Sequence, residues 1–260
     1  MTTSLEGIEG ILLDLSGVVY VQDDAVPGAA ETLARMRAAG IPIRLVTNTT
    51  MSPRRSILER LERLGIEADP SELLTPATLA AKRCEDAGYD SVSLVVLDEL
   101  REDLQGLREG DGPVDAVIVG DLGDRWDYGV LNAAFRRLMD GAELIALQKN
   151  RYWETADGLS LDAGPFVAAL EYATGREAEV MGKPSRAFFE LALSDLGVGA
   201  GHAAMVGDDV EADVGGALDA GLAGILVRTG KYREELVRER GIEPTATVDS
   251  IADVPALLSI

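Results

Sequence analysis

Four short stretches of this chain end in side chains that can do chemistry. The apolar run Ile11, Leu12, Leu13 stops at Asp14, with Ser16 two residues later. The run "IRLV" stops at Thr47 and Asn48. Lys183 sits in "VMGKPS", and "AAMVG" stops at Asp208 and Asp209, with Asp213 about one helical turn on. Alone, each has an ordinary reading: an acid after a strand is a turn residue or helix cap, "TNTT" is cap chemistry, and "GKP" is a loop. Three close carboxylates, however, repel one another unless a cation or a lysine compensates. Gathered in one pocket, the set is a carboxylate, a hydroxyl, a lysine and an acidic cluster. An anionic substrate there would require local positive charge, and a metal ion supplies it most economically.

Such a gathering needs elements that bring their ends together. Short apolar runs alternate with amphipathic stretches, the signature of βα units around a parallel sheet. "GIEGILLD" and "IPIRLVTN" read as strands. "GAAETLARMRAAG" reads as a helix with a terminal glycine, and "SPRRSILERLERLG" as another, capped by Ser52 with Pro53 at its first position. From about residue 78 the pattern restarts, with strands in "DSVSLVVLD", "PVDAVIVGD" and "AELIALQ" and helices in "YGVLNAAFRRLMDG" and "GPFVAALEYATG". The first pattern resumes with "AEVMGKPS", "AAMVGDD" and "AGILVRTG". The expected fold is α/β: a doubly wound, Rossmann-like parallel sheet formed by residues 1–77 and 181–260, with an α/β cap inserted at 78–180. In such a sheet ligands bind beyond the carboxyl ends of the strands, where the polar residues above would lie.

Bulk properties narrow the partners. The formal net charge of −21 repels phosphate backbones, so nucleic acid is not expected. No apolar stretch has the roughly 18 residues a membrane span requires. A signal-peptide pattern is absent and Cys84 is the only cysteine, so a cytoplasmic location is expected. Whether the chain works alone or as a homodimer is left open.

The four motifs "LLDLSG", "LVTNTT", "GKPS" and "VGDDVEAD", in this order, resemble those of the haloacid dehalogenase superfamily of phosphohydrolases. An insert between the second and third is similar to the NagD-like branch. The resemblance covers nearly the whole chain. It implies that Asp14 attacks phosphorus and becomes an aspartyl phosphate; a carboxylate suits this because it is ionised at neutral pH. It implies Mg2+, held by the Asp14 and Asp208 carboxylates and the backbone carbonyl of Ser16. Thr47 and the Asn48 N–H would hydrogen-bond the phosphoryl oxygens, and Lys183 would neutralise charge. Asp209 and Asp213 would hold metal-bound water or Lys183. The cap implies a small phosphorylated substrate.

Ser16 departs from the family pattern, which has a second Asp there to protonate the leaving group. General acid–base help is worth about 10²–10⁴ in rate. Either turnover of alkyl phosphates is slow, or the substrate needs less protonation, as pyrophosphate or an N–P bond does. A phosphate-binding or scaffold protein of weak activity is the alternative. In the cap, Lys149 and Arg151 of "KNRYW" carry positive charge that could bind an anion or simply face water. "GILVRTGKY" is not a phosphate loop, because Tyr232 stands where Ser or Thr must be. His202 is expected at the surface, Cys84 buried, and Trp126 and Trp153 in packing roles.

Overall fold

The computed structural model describes residue 5, residues 7–155 and residues 158–260. The chain forms two compact units. One comprises Met1–Thr47, Arg55–Leu74 and Lys183–Ile260; the other comprises Asn48–Arg54 and Thr75–Gly182.

The first unit is built on a six-stranded parallel sheet. From Gly10–Asp14 the chain steps outward to Ile43–Val46 and then Leu73–Leu74. It returns to the opposite side of the first strand at Ala203–Gly207, then steps outward to Ala223–Val227 and Ala246–Val248. Every pairing is parallel. This is the doubly wound order, and the direction of winding reverses between Gly10–Asp14 and Ala203–Gly207. Crevices form at such a reversal, beyond the strands' carboxyl ends.

Continuous apolar runs make these strands because helices cover both faces of the sheet. Ile11, Leu12, Leu13, Met205, Val206 and Ile225 are all wholly buried. Burying each such side chain contributes about 1.5–3 kcal/mol. The helix Ala29–Ala38 turns Ala29, Thr32, Leu33 and Met36 inward, one face of a 3.6-residue period. It stops where Gly40 adopts φ +73°, a conformation glycine takes without strain. The helix Arg54–Arg63 buries Ile57 and Leu61 and opens one residue after Pro53 rather than on it.

In the second unit a four-stranded parallel sheet runs in the order Glu179–Val180, Glu143–Ala146, Ala116–Val119, Val92–Val95. Helices Pro76–Ala87, Tyr128–Met139 and Ala163–Thr174 accompany it, with an antiparallel hairpin of Tyr152–Thr155 and Gly158–Leu161. The sequence pattern suggests that "AEVMGKPS" resumes the first sheet. Instead Glu179–Val180 pairs with Glu143–Ala146 in the second sheet. Two residues are too few for hydrophobic pattern to reveal which sheet they join. Among the described residues no helix is long and apolar enough to cross a membrane.

Candidate active site

Asp14 is the last residue of the first strand, in register with Val46, while its neighbour Leu13 is in register with Val206. Thr47 therefore follows one adjacent strand, and Asp208 follows the other after Gly207. Thr47 is buried. Beyond Asp14 the chain turns sharply. Gly17 has φ +88°, and its N–H donates to the Tyr20 carbonyl at 2.7 Å. Ser16 is exposed, whereas Asp14, Leu15 and Gly17 are buried. Its hydroxyl thus stands on the open side of a turn whose backbone is fixed.

Lys183 does not end a strand of the first sheet, contrary to the pattern of the other three tips. It lies in the loop before the helix Arg186–Leu196, joined to Pro184 by a cis peptide bond. Ser185 caps that helix by accepting from the Phe188 N–H at 3.1 Å. Phe188 and Phe189 anchor it in the core. A Cβ on Gly216 would lie 2.8 Å from Pro184, so the Gly216–Asp219 helix packs directly against the loop that carries Lys183.

The Lys183 ammonium donates a short hydrogen bond to Asp14 Oδ1 and lies 2.6 Å from Asp213 Oδ1. Asp213 is presented by a π-helical turn, Val210–Gly215. Its Oδ2 accepts from the Asp209 N–H at 3.1 Å. Asp209 itself accepts from the N–H groups of Glu211 and Ala212, capping the turn. Of the two outer acids, Asp213 holds the lysine and Asp209 holds the turn.

Charge in this cluster is unbalanced. Asp14, Asp208, Asp213 and Lys183 are 6, 2, 1 and 5 % exposed, so water does little to screen them. Burial pushes the Asp14 carboxyl up to about 7 against the pull of Lys183, and Asp213 adds to the rise. Burial also pushes Asp208 up to about 6, against the Lys231 N–H that opposes it. Burial works against the Lys183 charge too, but Asp14 and Asp213 more than offset it and its pKa lies above the ordinary value. Three buried carboxylates thus face one buried ammonium, a costly excess of negative charge. Asp14, Asp208 and Asp213 each offer an oxygen within 4.8 Å of the others. An all-oxygen set with surplus negative charge fits a hard divalent cation.

Glycines make room for these acids. A Cβ on Gly207 would fall 2.2 Å from Asp213, and one on Gly17 or Gly230 would fall 1.9 or 2.1 Å from Asp208 Oδ2. The sequence reading missed Gly17, Gly207 and the Thr229–Lys231 loop. In "VRTGKY" the spacing excludes a phosphate loop but does not reveal this contact, because glycine roles of this kind depend on which carboxylate the fold brings alongside.

The remaining expected residues are placed as follows. Asn48 belongs to the second unit, with its side chain against Gly182. Lys149 and Arg151 are also in the second unit, and Lys149 is ion-paired with Glu171 at 2.7 Å. His202 is exposed, with Nδ1 3.0 Å from the Gly7 carbonyl. Cys84 is buried, and burial pushes its thiol up to about 11. Trp126 stacks on Phe166 at 4.2 Å. The Trp153 side chain lies outside the described residues.

Comparison with known proteins agrees with this geometry. A model of the haloacid dehalogenase-like hydrolases matches residues 11–108, and one described as "HAD-hyrolase-like" matches 180–254. The chain is 44% identical to human haloacid dehalogenase-like hydrolase domain-containing protein 2 over 94% of its length and 93% of that protein. It is 36% identical to human phospholysine phosphohistidine inorganic pyrophosphate phosphatase over 98% of its length and 95% of that protein. Its structure is similar to those of p-nitrophenyl phosphatase from Archaeoglobus fulgidus (TM-score 0.87, 27% identity, 97% and 99% of the two chains) and NagD from E. coli K-12 (0.85, 26%, 95% and 98%). The chain belongs to the haloacid dehalogenase-like hydrolase family, in its NagD-like branch. Within that family it is a phosphatase.

Proposed function

We propose that the chain is a magnesium-dependent phosphohydrolase that works through an aspartyl phosphate on Asp14, with a small phosphorylated molecule as substrate. The observation that carries this reading is the buried cluster of Asp14, Lys183, Asp208 and Asp213 at the reversal of the sheet. The Asp14 and Asp208 carboxylates, with the Ser16 carbonyl, would hold the cation. When bound, it supplies the positive charge that keeps these acids ionised and offsets the charge of the phosphoryl group.

An Asp14 oxygen forms a bond to phosphorus as the bond from phosphorus to the leaving atom breaks, and the leaving group departs with the electron pair. Lys183, held by Asp213, keeps Asp14 oriented and balances charge on the transferring group. Thr47 donates to a phosphoryl oxygen. Water then adds to the phosphorus of the acyl phosphate, releasing inorganic phosphate and restoring the carboxylate.

Ser16 directs the substrate class. A hydroxyl cannot serve as an acid near neutral pH, so the favoured substrates are those whose leaving group needs little protonation. Pyrophosphate and phosphoramides, whose nitrogen accepts its own proton, meet that condition. Both bond types appear in the name of the human relative that is 36% identical. Phosphate release from pyrophosphate, a phosphoramidate and an alkyl phosphate, with Mg2+ and with chelator, tests the reading in wild type and Asp14→Asn. Mg2+-dependent release that disappears in Asp14→Asn is expected. Silence of both proteins on all substrates would favour a phosphate-binding role instead.

A further inference from the structure

We propose that the loop Thr229–Gly230–Lys231 is a positioning clamp for the cation site, an inference that rests on the reading of Asp208 and Ser16 as cation ligands. Three contacts converge on one place. The Thr229 hydroxyl donates a short hydrogen bond to the Gly17 carbonyl. The Lys231 N–H donates to Asp208 Oδ2 at 2.6 Å. Gly230, at φ +61°, passes so close that a Cβ there would lie 2.5 Å from Gly17 Cα and 2.1 Å from Asp208 Oδ2.

The consequence is that both proposed ligands outside Asp14 are oriented by one loop. The peptide that carries the Ser16 carbonyl is fixed at its other end by the Gly17 N–H, which donates to Tyr20. The following peptide is fixed by Thr229. With both peptides flanking Gly17 held, the Ser16 carbonyl cannot swing. Asp208 has Oδ2 occupied by the Lys231 N–H, which sets the direction of Oδ1. A small cation that demands near-ideal octahedral geometry gains most from ligands oriented in advance. Neither Thr229 nor Lys231 need touch the substrate for this; the Lys231 side chain is mostly exposed, its Nζ 3.8 Å from Asp209.

The test is calorimetric binding of Mg2+ to the full chain without substrate, for wild type, Thr229→Val, Thr229→Ala and Thr229→Ser. Removal of the hydroxyl in Thr229→Val and Thr229→Ala should weaken Mg2+ binding by about tenfold or more. Thr229→Ser should bind as wild type does. The loss should appear as weaker affinity at wild-type stoichiometry, whereas a partly unfolded population would lower the stoichiometry and leave the affinity of the folded fraction unchanged; at saturating Mg2+ the substrate KM should stay within about twofold of wild type. Unchanged Mg2+ affinity in whichever hydroxyl-less variant folds overturns the clamp, as does failure of Thr229→Ser to restore binding. Failure of both hydroxyl-less variants to fold would assign Thr229 a structural role and also overturn it. Absence of Mg2+ binding in wild type would instead overturn the reading of Asp208 and Ser16 on which the clamp depends.

Discussion

Lys183 holds its charge out of water between the buried Asp14 and Asp213, so its loss leaves these acids uncompensated. Replacing Lys183 with Met leaves Asp14, Asp208 and Asp213 buried with no ammonium among them. Breaking a buried pair this way costs about 3–5 kcal/mol. A urea melt of Lys183→Met in chelator near neutral pH should show a loss of that order; a loss near zero would mean that water reaches the cluster and screens it. Ser16 calls for a different experiment, because it is exposed and its replacement disturbs no packing. Ser16→Asp adds the acid the family pattern has. It should raise turnover of an alkyl phosphate by about 10²-fold, the low end of general acid catalysis. Turnover of p-nitrophenyl phosphate, whose leaving group departs without a proton, should change little. Equal gains on both substrates would mean that Ser16 does not limit leaving-group protonation.

Elements determine where these side chains stand, and they differ in how much their sequences reveal. Asp14 ends one largely apolar strand, and Thr47 and Asp208 follow two others, so the strand ends and hence the site are legible as the points where these runs stop. Lys183 was legible as chemistry but not as position. The strand before it has two residues and joins the second sheet, and the loop is set by Ser185, Pro184 and Gly216 packing rather than by periodicity. Asp213 and Asp209 were legible as a cluster but not as separate roles, because a π-helical turn changes which side chains share a face. Gly207 shows how tightly strand and turn meet. Gly207→Ala would drive a Cβ into the Asp213 carboxylate, which is itself buried. Overpacking of this kind costs about 1–3 kcal/mol, and it should also lower phosphate release because Asp213 holds Lys183. Thermal melts paired with turnover check both; an unchanged melt with full activity would mean the turn yields freely.

Taken as a whole, the chain has a formal net charge of −21 and buries three of its acids in the site, and pH therefore acts on fold and site together. Folding raises Asp14 from an ordinary 3.8 to about 7, and Asp208 to about 6. Between about pH 4 and 7 the folded state thus binds more protons than the unfolded one, and stability falls as pH rises through that window. Below it both states are protonated, and above it both are ionised, so the slope vanishes. In chelator, the melting temperature should drop from about pH 5 to pH 8 by more than in Asp14→Asn. Mg2+ should restore more stability at the higher pH, where binding is linked to ionised ligands. A flat profile would mean that these acids are already ionised without a cation. The most direct test of the central claim is the mass of the protein quenched in acid during Mg2+-dependent turnover. A single phosphoryl increment on the peptide that carries Asp14, absent in Asp14→Asn, is the result expected. Steady phosphate release with no increment on that peptide, or with the increment on another residue, would contradict the account.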